Sequence, residues 1–328
     1  MLLAGGVASP ADAFELGLPI DCSPGVDCFV QNYVDEDPGP EARDFACGGA
    51  TTDRHDGTDI RVRSLAVAKA GVAVKAAAAG TVTGVRDGVR EQFVESDADR
   101  AAIKGRECGN GVVIEHGGGY VTQYCHMKRG SVRVKRGQTV AEGEVIGAVG
   151  ASGLTQFAHL HLAVRLDGKT IDPFTGAGVT GTCEPDFAKA TMGSLWRADV
   201  LKALGPVETR ILDAGFTEGT PGTAAFELGE VAVGEVTRRS PQLVFYVRLM
   251  NAHAGDRLAF SVTGPEGFAV DHVAEPLDRA KAVYVGFAGK RLAQGAKAWP
   301  AGTYKGNVAV LRDGATVAEQ TVEIALGG

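Results

Sequence analysis

The octapeptide FAHLHLAV, Phe157 to Val164, places two histidines one residue apart in an otherwise apolar run. Side chains of a strand alternate between faces, so residues two apart point the same way. His159 and His161 therefore share one face, and Leu160 and Leu162 share the other. A fold that buries the leucines must present both imidazoles together on the wall of a groove. Such a pair suits metal binding or proton transfer, and it equally suits two hydrogen-bonded histidines on a half-exposed strand. The rest of the chain has to decide between them.

Bulk properties narrow the field. The 328 residues suffice for about two domains at roughly 150 residues each. Apolar content of 45% and charged content of 22% are those of an ordinary globular protein. A net charge of −7 with no basic stripe argues against nucleic acid as a partner. No apolar run approaches the ~20 residues of a transmembrane segment. Near the N-terminus, Ala11–Ala13 (ADA) has the small-x-small form of a signal-peptidase site after a short apolar stretch, so residues 1–20 read as a signal-peptide remnant or an N-terminal arm.

Six cysteines, Cys22, Cys28, Cys47, Cys108, Cys125 and Cys183, lie in the first 183 residues, and none forms a Cys-x-x-Cys pair. An even count beside a possible export signal fits disulfides formed in an oxidising compartment, the periplasm or cell envelope. One pairing follows locally. The segment CGNGVVIEHGGGYVTQYC reads as two β-rich runs around the turn Gly117–Gly119, and a hairpin there brings Cys108 and Cys125 within cross-strand reach. The other four cysteines stay unassigned.

The predicted fold class is mainly β throughout. Gly71–Val85 and Val132–Gly150 are short strands punctuated by glycine turns, within a domain spanning 21–190. Met192–Leu204 has helix-like composition, and 191–204 reads as a helical linker. Beyond it, residues 205–328 contain no cysteine and read as successive strands, beginning with AAFELGEVAV and ending in a hairpin at the Asp313–Gly314 turn. Short strands at this spacing predict an immunoglobulin-like β-sandwich in an accessory role.

Upstream, DRHDGTDIRV places His55 and Asp59 four residues apart, where one turn brings them together. With the His-x-His pair they make a His/Asp/His set, and three protein ligands with an open fourth position characterise catalytic zinc. A further histidine, His126, stands in TQYCHMK at the end of the hairpin. His116 in HGGG has no Gly-x-Ser-x-Gly elbow to accompany it, so that stretch reads as the hairpin turn.

The order His55-x-x-x-Asp59, then Tyr124–His126, then His159-x-His161 resembles the lysostaphin-type (LytM-like) zinc endopeptidases of bacterial cell walls. The connecting text resembles them too, from about His55 to Phe174. The resemblance implies a compact antiparallel β domain that holds one Zn2+ through His55, Asp59 and His161, with His126 and His159 as unligated catalytic histidines. It implies a peptidoglycan peptide as substrate, cut in the stems or in the cross-links. Ala158 replaces a common proline, HLAV replaces the usual ending with an aromatic and a glutamate, and a charged insertion, Asp87–Glu107, enlarges a loop before the hairpin, where it could wall the groove. Some relatives have lost metal ligands and act as binding modules that activate amidases; here none of the five positions is lost. The accessory domain is expected to contact an envelope protein or glycan.

Overall fold

The computed structural model describes residues 14–231 and 236–327. The ADA segment of the possible export signal lies outside them. The first part of the chain runs β1 (Cys28–Asn32), β2 (Thr58–Val62), α1 (Leu65–Gly71), β3 (Ala73–Lys75), β4 (Gly80–Arg86), α2 (Asp97–Ala102), β5 (Asn110–Gly117) and β6 (Tyr120–Met127). It continues through β7 (Thr139–Val140), β8 (Val145–Ala148), β9 (His159–Leu166), β10 (Lys169–Asp172), β11 (Ala177–Gly178), α3 (Phe187–Ala190) and α4 (Ala198–Leu204).

Antiparallel pairing orders the main sheet β1-β2-β9-β6-β5-β4-β7, with β10 and β11 branching from β9, while β3 and β8 pair separately. The His-x-His strand β9 is thus central, with β2 on one side and β6 on the other. Leu160, Leu162 and Val164 are fully buried in the main core, so the leucine face is turned inward as the alternation requires. The imidazole face is left to look the other way. The β5–β6 hairpin turns through Gly118 and Gly119, both at positive φ (58° and 84°), the backbone that a tight two-residue turn demands.

The second part contains β12 (Arg210–Thr217), α5 (Thr223–Leu228), β13 (Gln242–Ala252), β14 (Arg257–Thr263), β15 (Ala269–Val273), β16 (Lys281–Arg291), β17 (Gly302–Arg312) and β18 (Ala315–Leu326). Sheets β12-β13-β16 and β15-β14-β17-β18 enclose a second core around Phe216, Phe245, Phe260 and Tyr304. The hairpin expected at Asp313–Gly314 joins β17 to β18, with Arg312 opposite Ala315.

Two local readings need correction. The first strand expected here, AAFELGEVAV, is instead helix α5 over Thr223–Leu228, followed by Gly229 in the left-handed conformation (φ 80°), whose N–H caps the Ala225 and Phe226 carbonyls. Ala, Glu and Leu favour helix, and a glycine just past them is a helix stop. The last two residues of that stretch lie outside the described residues. In Met192–Leu204 only Ala198–Leu204 is helical; the Leu16 N–H donates to the Leu195 carbonyl, and Trp196 forms an isolated bridge with Leu16. Leu16, Trp196, Val200 and Leu204 all belong to the main core.

Three disulfides form. Cys108–Cys125 is the expected one; Cys22–Cys28 and Cys47–Cys183 use the remaining four cysteines. The last spans 136 residues and ties the loop after β1 to the segment after β11.

One buried acid has a consequence for stability. Asp172, at the end of β10, is fully buried; its Oδ1 accepts the Phe174 N–H at 2.8 Å, and its Oδ2 has no partner among the described residues. Burial pushes its pKa up to about 8, and the nearby Glu36 and Asp44 carboxylates add to the rise. The folded chain therefore keeps a proton that the unfolded chain releases near pH ~4, so this contribution stabilises at low pH and is lost as pH climbs toward 8. Asp172→Asn cannot ionise. Relative to the parent it should gain stability with rising pH by up to about 1.4 kcal/mol per unit across that window, as urea unfolding at pH 5 and pH 8 would measure.

Candidate metal centre

The centre is assembled by strand register. In the β2–β9 pair Asp59 stands directly opposite His161, and Arg61 opposite His159. In the β6–β9 pair Cys125 stands opposite His161, so His126 arrives one residue beyond. His55 enters from the loop before β2. Gly57 makes that entry possible, since a Cβ there would lie 2.6 Å from the Leu162 carbonyl and 2.7 Å from the His161 ring.

Asp59 is the hub. Its Oδ1 lies 2.8 Å from His161 Nδ1 and its Oδ2 3.1 Å from His55 Nε2. Asn32 Nδ2 donates to Oδ2 at 2.8 Å, and His159 Nε2 is 3.4 Å from Oδ1. Burial opposes ionisation of this carboxyl, but the imidazoles of His55 and His159 outweigh it and hold the pKa well below the usual carboxylate range. Burial likewise disfavours charge on His55 and His161, and the Asp59 carboxylate reverses this for His55. Asp56 and Asp59 together push His161 up to about 9.

His55, Asp59 and His161 each offer one ligand atom, and these atoms all lie within 4.8 Å of one another. Two imidazole nitrogens and a carboxylate oxygen form a donor set suited to a zinc-like dication. The orientation of His55 supports the fit: its Nδ1 donates to the Tyr33 carbonyl at 2.7 Å, which turns Nε2 toward Asp59. A dication would displace the imidazole protons that now bridge these groups. A second grouping, Cys22, Asp27 and Cys28, has its two sulfurs joined in a disulfide and offers no thiolate.

Two more imidazoles complete the site. The His126 and His159 rings are 4.6 Å apart between centroids. His126 Nδ1 donates to Ser152 O at 2.8 Å and His159 Nδ1 to Phe157 O at 2.9 Å, which turns the His159 Nε2 toward Asp59 Oδ1 at 3.4 Å and leaves the His126 Nε2 without a protein partner among the described residues. Burial, reinforced by the neighbouring His159 and His161, drives the His126 pKa well below the ordinary range, so this ring is neutral near pH 7. His126 also sits at φ 60°, a left-handed conformation uncommon outside glycine. Its N–H bonds Cys108 O at 2.8 Å beside the Cys108–Cys125 bridge, which pins it there.

All five residues singled out from the sequence line one cleft of about 640 Å³. Arg100 of α2 and Glu107 line it too, so the charged insertion does form part of its wall. Sequence reasoning missed several contributors. Asp56 lies 3.3 Å from His161 Nε2 and accepts Arg165 Nη2 at 2.9 Å, while Arg165 Nη1 donates to Gln123 at 2.8 Å. Burial opposes the charge on Asp56, but the hydrogen bond with His161 dominates and lowers its pKa to about 2. Extending the alternation of β9 past His161 would have placed Arg165 on the imidazole face. Nothing in the sequence pointed to Asn32 or to the Tyr33 carbonyl.

Residues 53–173 match the family model described as Peptidase family M23. That stretch is an M23 peptidase domain. Within the M23 segment the chain is similar to the peptidoglycan DD-endopeptidase ShyA of Vibrio cholerae, 39% identical over 64 residues that cover 20% of this chain and 14% of that protein. It is also similar to the DD-carboxypeptidase/endopeptidase Mpg of Neisseria meningitidis, 34% identical over 113 residues, 34% of this chain and 26% of the other. These alignments span well under two thirds of either relative. Among solved structures, the catalytic domain of lysostaphin from Staphylococcus simulans aligns at 22% identity and a TM-score of 0.28, covering 43% of this chain and 85% of that one.

The disulfide beside His126 makes a separable prediction. Replacing Cys108 and Cys125 together by serine opens a loop of 17 residues and should lower stability by about 3 kcal/mol on the chain-entropy estimate. Because none of the candidate ligands His55, Asp59 and His161 is touched, any affinity for zinc measured by chelator competition should stay within about threefold of the parent.

Proposed function

We propose that this chain is a zinc-dependent endopeptidase that hydrolyses peptide bonds in peptidoglycan stems or cross-links, acting after export to the periplasm or cell envelope. One observation carries the reading: inside an M23 domain, the His55/Asp59/His161 trio converges in a cleft beside two further imidazoles, His126 and His159, each anchored through Nδ1. In this reading residues 21–190 are the peptidase unit, 191–204 the connector and 205–328 an accessory unit that meets an envelope protein or glycan.

His55, Asp59 and His161 would hold one zinc ion. When bound, it supplies Lewis acidity that acidifies water and polarises a carbonyl. The M23 segment has no His-Glu-x-x-His glutamate, so proton handling falls to imidazole. His126, kept neutral by burial, is suited to accept a proton from water. His159, anchored through Nδ1 to Phe157 O, presents Nε2 on the same side, where it can stabilise charge on the scissile carbonyl oxygen or return a proton to the leaving amine. Asp59 sets the charge of the site, and Asn32 fixes the carboxylate that does so.

The test separates holding from chemistry. Purified cell-wall sacculi should be solubilised by the protein, and a chelator should stop it until zinc is restored. His161→Ala should abolish stoichiometric zinc by elemental analysis. His126→Ala should retain zinc and lose about 10²- to 10⁴-fold in turnover. Full zinc occupancy without any muropeptide release would replace this reading with that of a wall-binding module.

A further inference from the structure

Arg61 is a residue the peptidase chemistry does not use, yet it sits at the centre of the site's foundations. It lies two residues after Asp59 on β2, on the same face, and directly opposite His159. It is fully buried, and a buried guanidinium requires a counter-charge and hydrogen-bond partners. Nη1 donates to Gln31 at 2.5 Å and Nε to the Val62 carbonyl at 3.4 Å. Among the described residues the carboxylate bonded to it is Glu227, whose Oε2 accepts Nη2 at 2.6 Å.

Glu227 comes from α5, outside the M23 segment and beyond the first strand of the C-terminal unit. It too is buried, and its second oxygen accepts Arg248 Nη1 at 3.1 Å. Arg248 is held in turn by Asp213 and donates at 2.6 Å to the carbonyl of Arg63, the residue just after β2. Two guanidinium groups and two carboxylates thus balance across the junction between the two cores.

Arg61 also packs its guanidinium against Phe157, which lines the cleft. Its guanidinium carbon lies 5.0 Å from the centroid of the Phe157 ring, and Phe157 stacks on His159 at 4.3 Å with 25° between the planes. Phe157 also supplies the carbonyl that orients His159. An unbroken line of contacts therefore runs Glu227–Arg61–Phe157–His159, from the C-terminal unit to the imidazole beside the metal ligands.

We propose that Glu227 is a positioning residue of the peptidase centre, and that through it the C-terminal β unit is a working part of the active site. Glu227 neutralises Arg61 and fixes its plane; Arg61 then holds Phe157 flat against His159. Without that carboxylate, an uncompensated positive charge stands on the strand beside His159, opposing a dication at the trio and releasing the Phe157 platform. A merely adhesive role would predict loss of stability with no change at the centre.

The inference builds on the proposed peptidase activity, and its test keeps the two apart. Zinc affinity by chelator competition needs no turnover. Glu227→Gln in the full chain should bind zinc about tenfold more weakly or worse, because it leaves a net positive charge buried on the strand that carries Asp59. In sacculus assays at saturating zinc, Glu227→Gln and Phe157→Leu should each lower kcat about tenfold with KM within threefold. The double variant should be no slower than the slower single one, because both break the same line. Should Glu227→Gln fail to fold, Glu227→Asp, which keeps the charge but withdraws it by one methylene, takes its place in the cycle. Parent-like zinc affinity in a folded, less stable Glu227 variant would overturn the proposal, as would strictly multiplicative kcat losses. A parent that binds zinc but cleaves nothing would sink the peptidase reading and leave the affinity comparison to decide the role of Glu227.

Discussion

The centre depends on keeping one carboxylate ionised where water is nearly excluded. Asp59 is almost wholly buried, and an isolated charge there would be neutralised by proton uptake rather than tolerated. It stays charged because β2 and β9 are in the one register that sets it opposite His161, while the short loop through Gly57 folds His55 back onto its other oxygen. Slipping either strand by one residue would exchange the imidazoles for leucines and strand the charge. The packing of Leu160, Leu162 and Val164 into the core is what forbids that slip. Hydrophobic burial on one face of β9 thus fixes the electrostatics on the other.

Around that hub the neighbours divide by their anchors. His55, His126 and His159 each spend Nδ1 on a backbone carbonyl, of Tyr33, Ser152 and Phe157 respectively, so their Nε2 atoms are turned inward without any choice of rotamer left open. His161 differs: both of its ring nitrogens face carboxylates, Asp59 on one side and Asp56 on the other. Local charge therefore separates the roles. The ring between two acids takes up positive charge, and His126, held neutral first by burial and then by the imidazoles around it, refuses it.

What the sequence made legible is what strand alternation and short spacings encode. The shared face of His159 and His161, a glycine turn within Gly117–Gly119 and the Cys108–Cys125 bridge all follow from residues close in the chain or from a period of two. The same logic made most of the C-terminal strands readable. It fails at Thr223–Leu228, where helix-forming Ala, Glu and Leu run up to a glycine stop. It also fails wherever the decisive partner is remote and unpatterned. Asn32 reaches Asp59 only because β1 pairs with β2, and Glu227 reaches Arg61 only because two separate cores meet. The Cys47–Cys183 pairing was hidden for the same reason, since its two ends carry no local signal of each other.

That long bridge also orders events in time. The segment it secures begins just after Tyr33, whose carbonyl orients His55, so one wall of the centre is fastened to a cysteine 136 residues downstream. A ribosome must therefore deliver every imidazole of the site before the clasp can close. The carboxylate that balances Arg61 emerges later still. A nascent fragment that carries all five histidine and aspartate positions but stops short of Cys183 is thus still without its fastening.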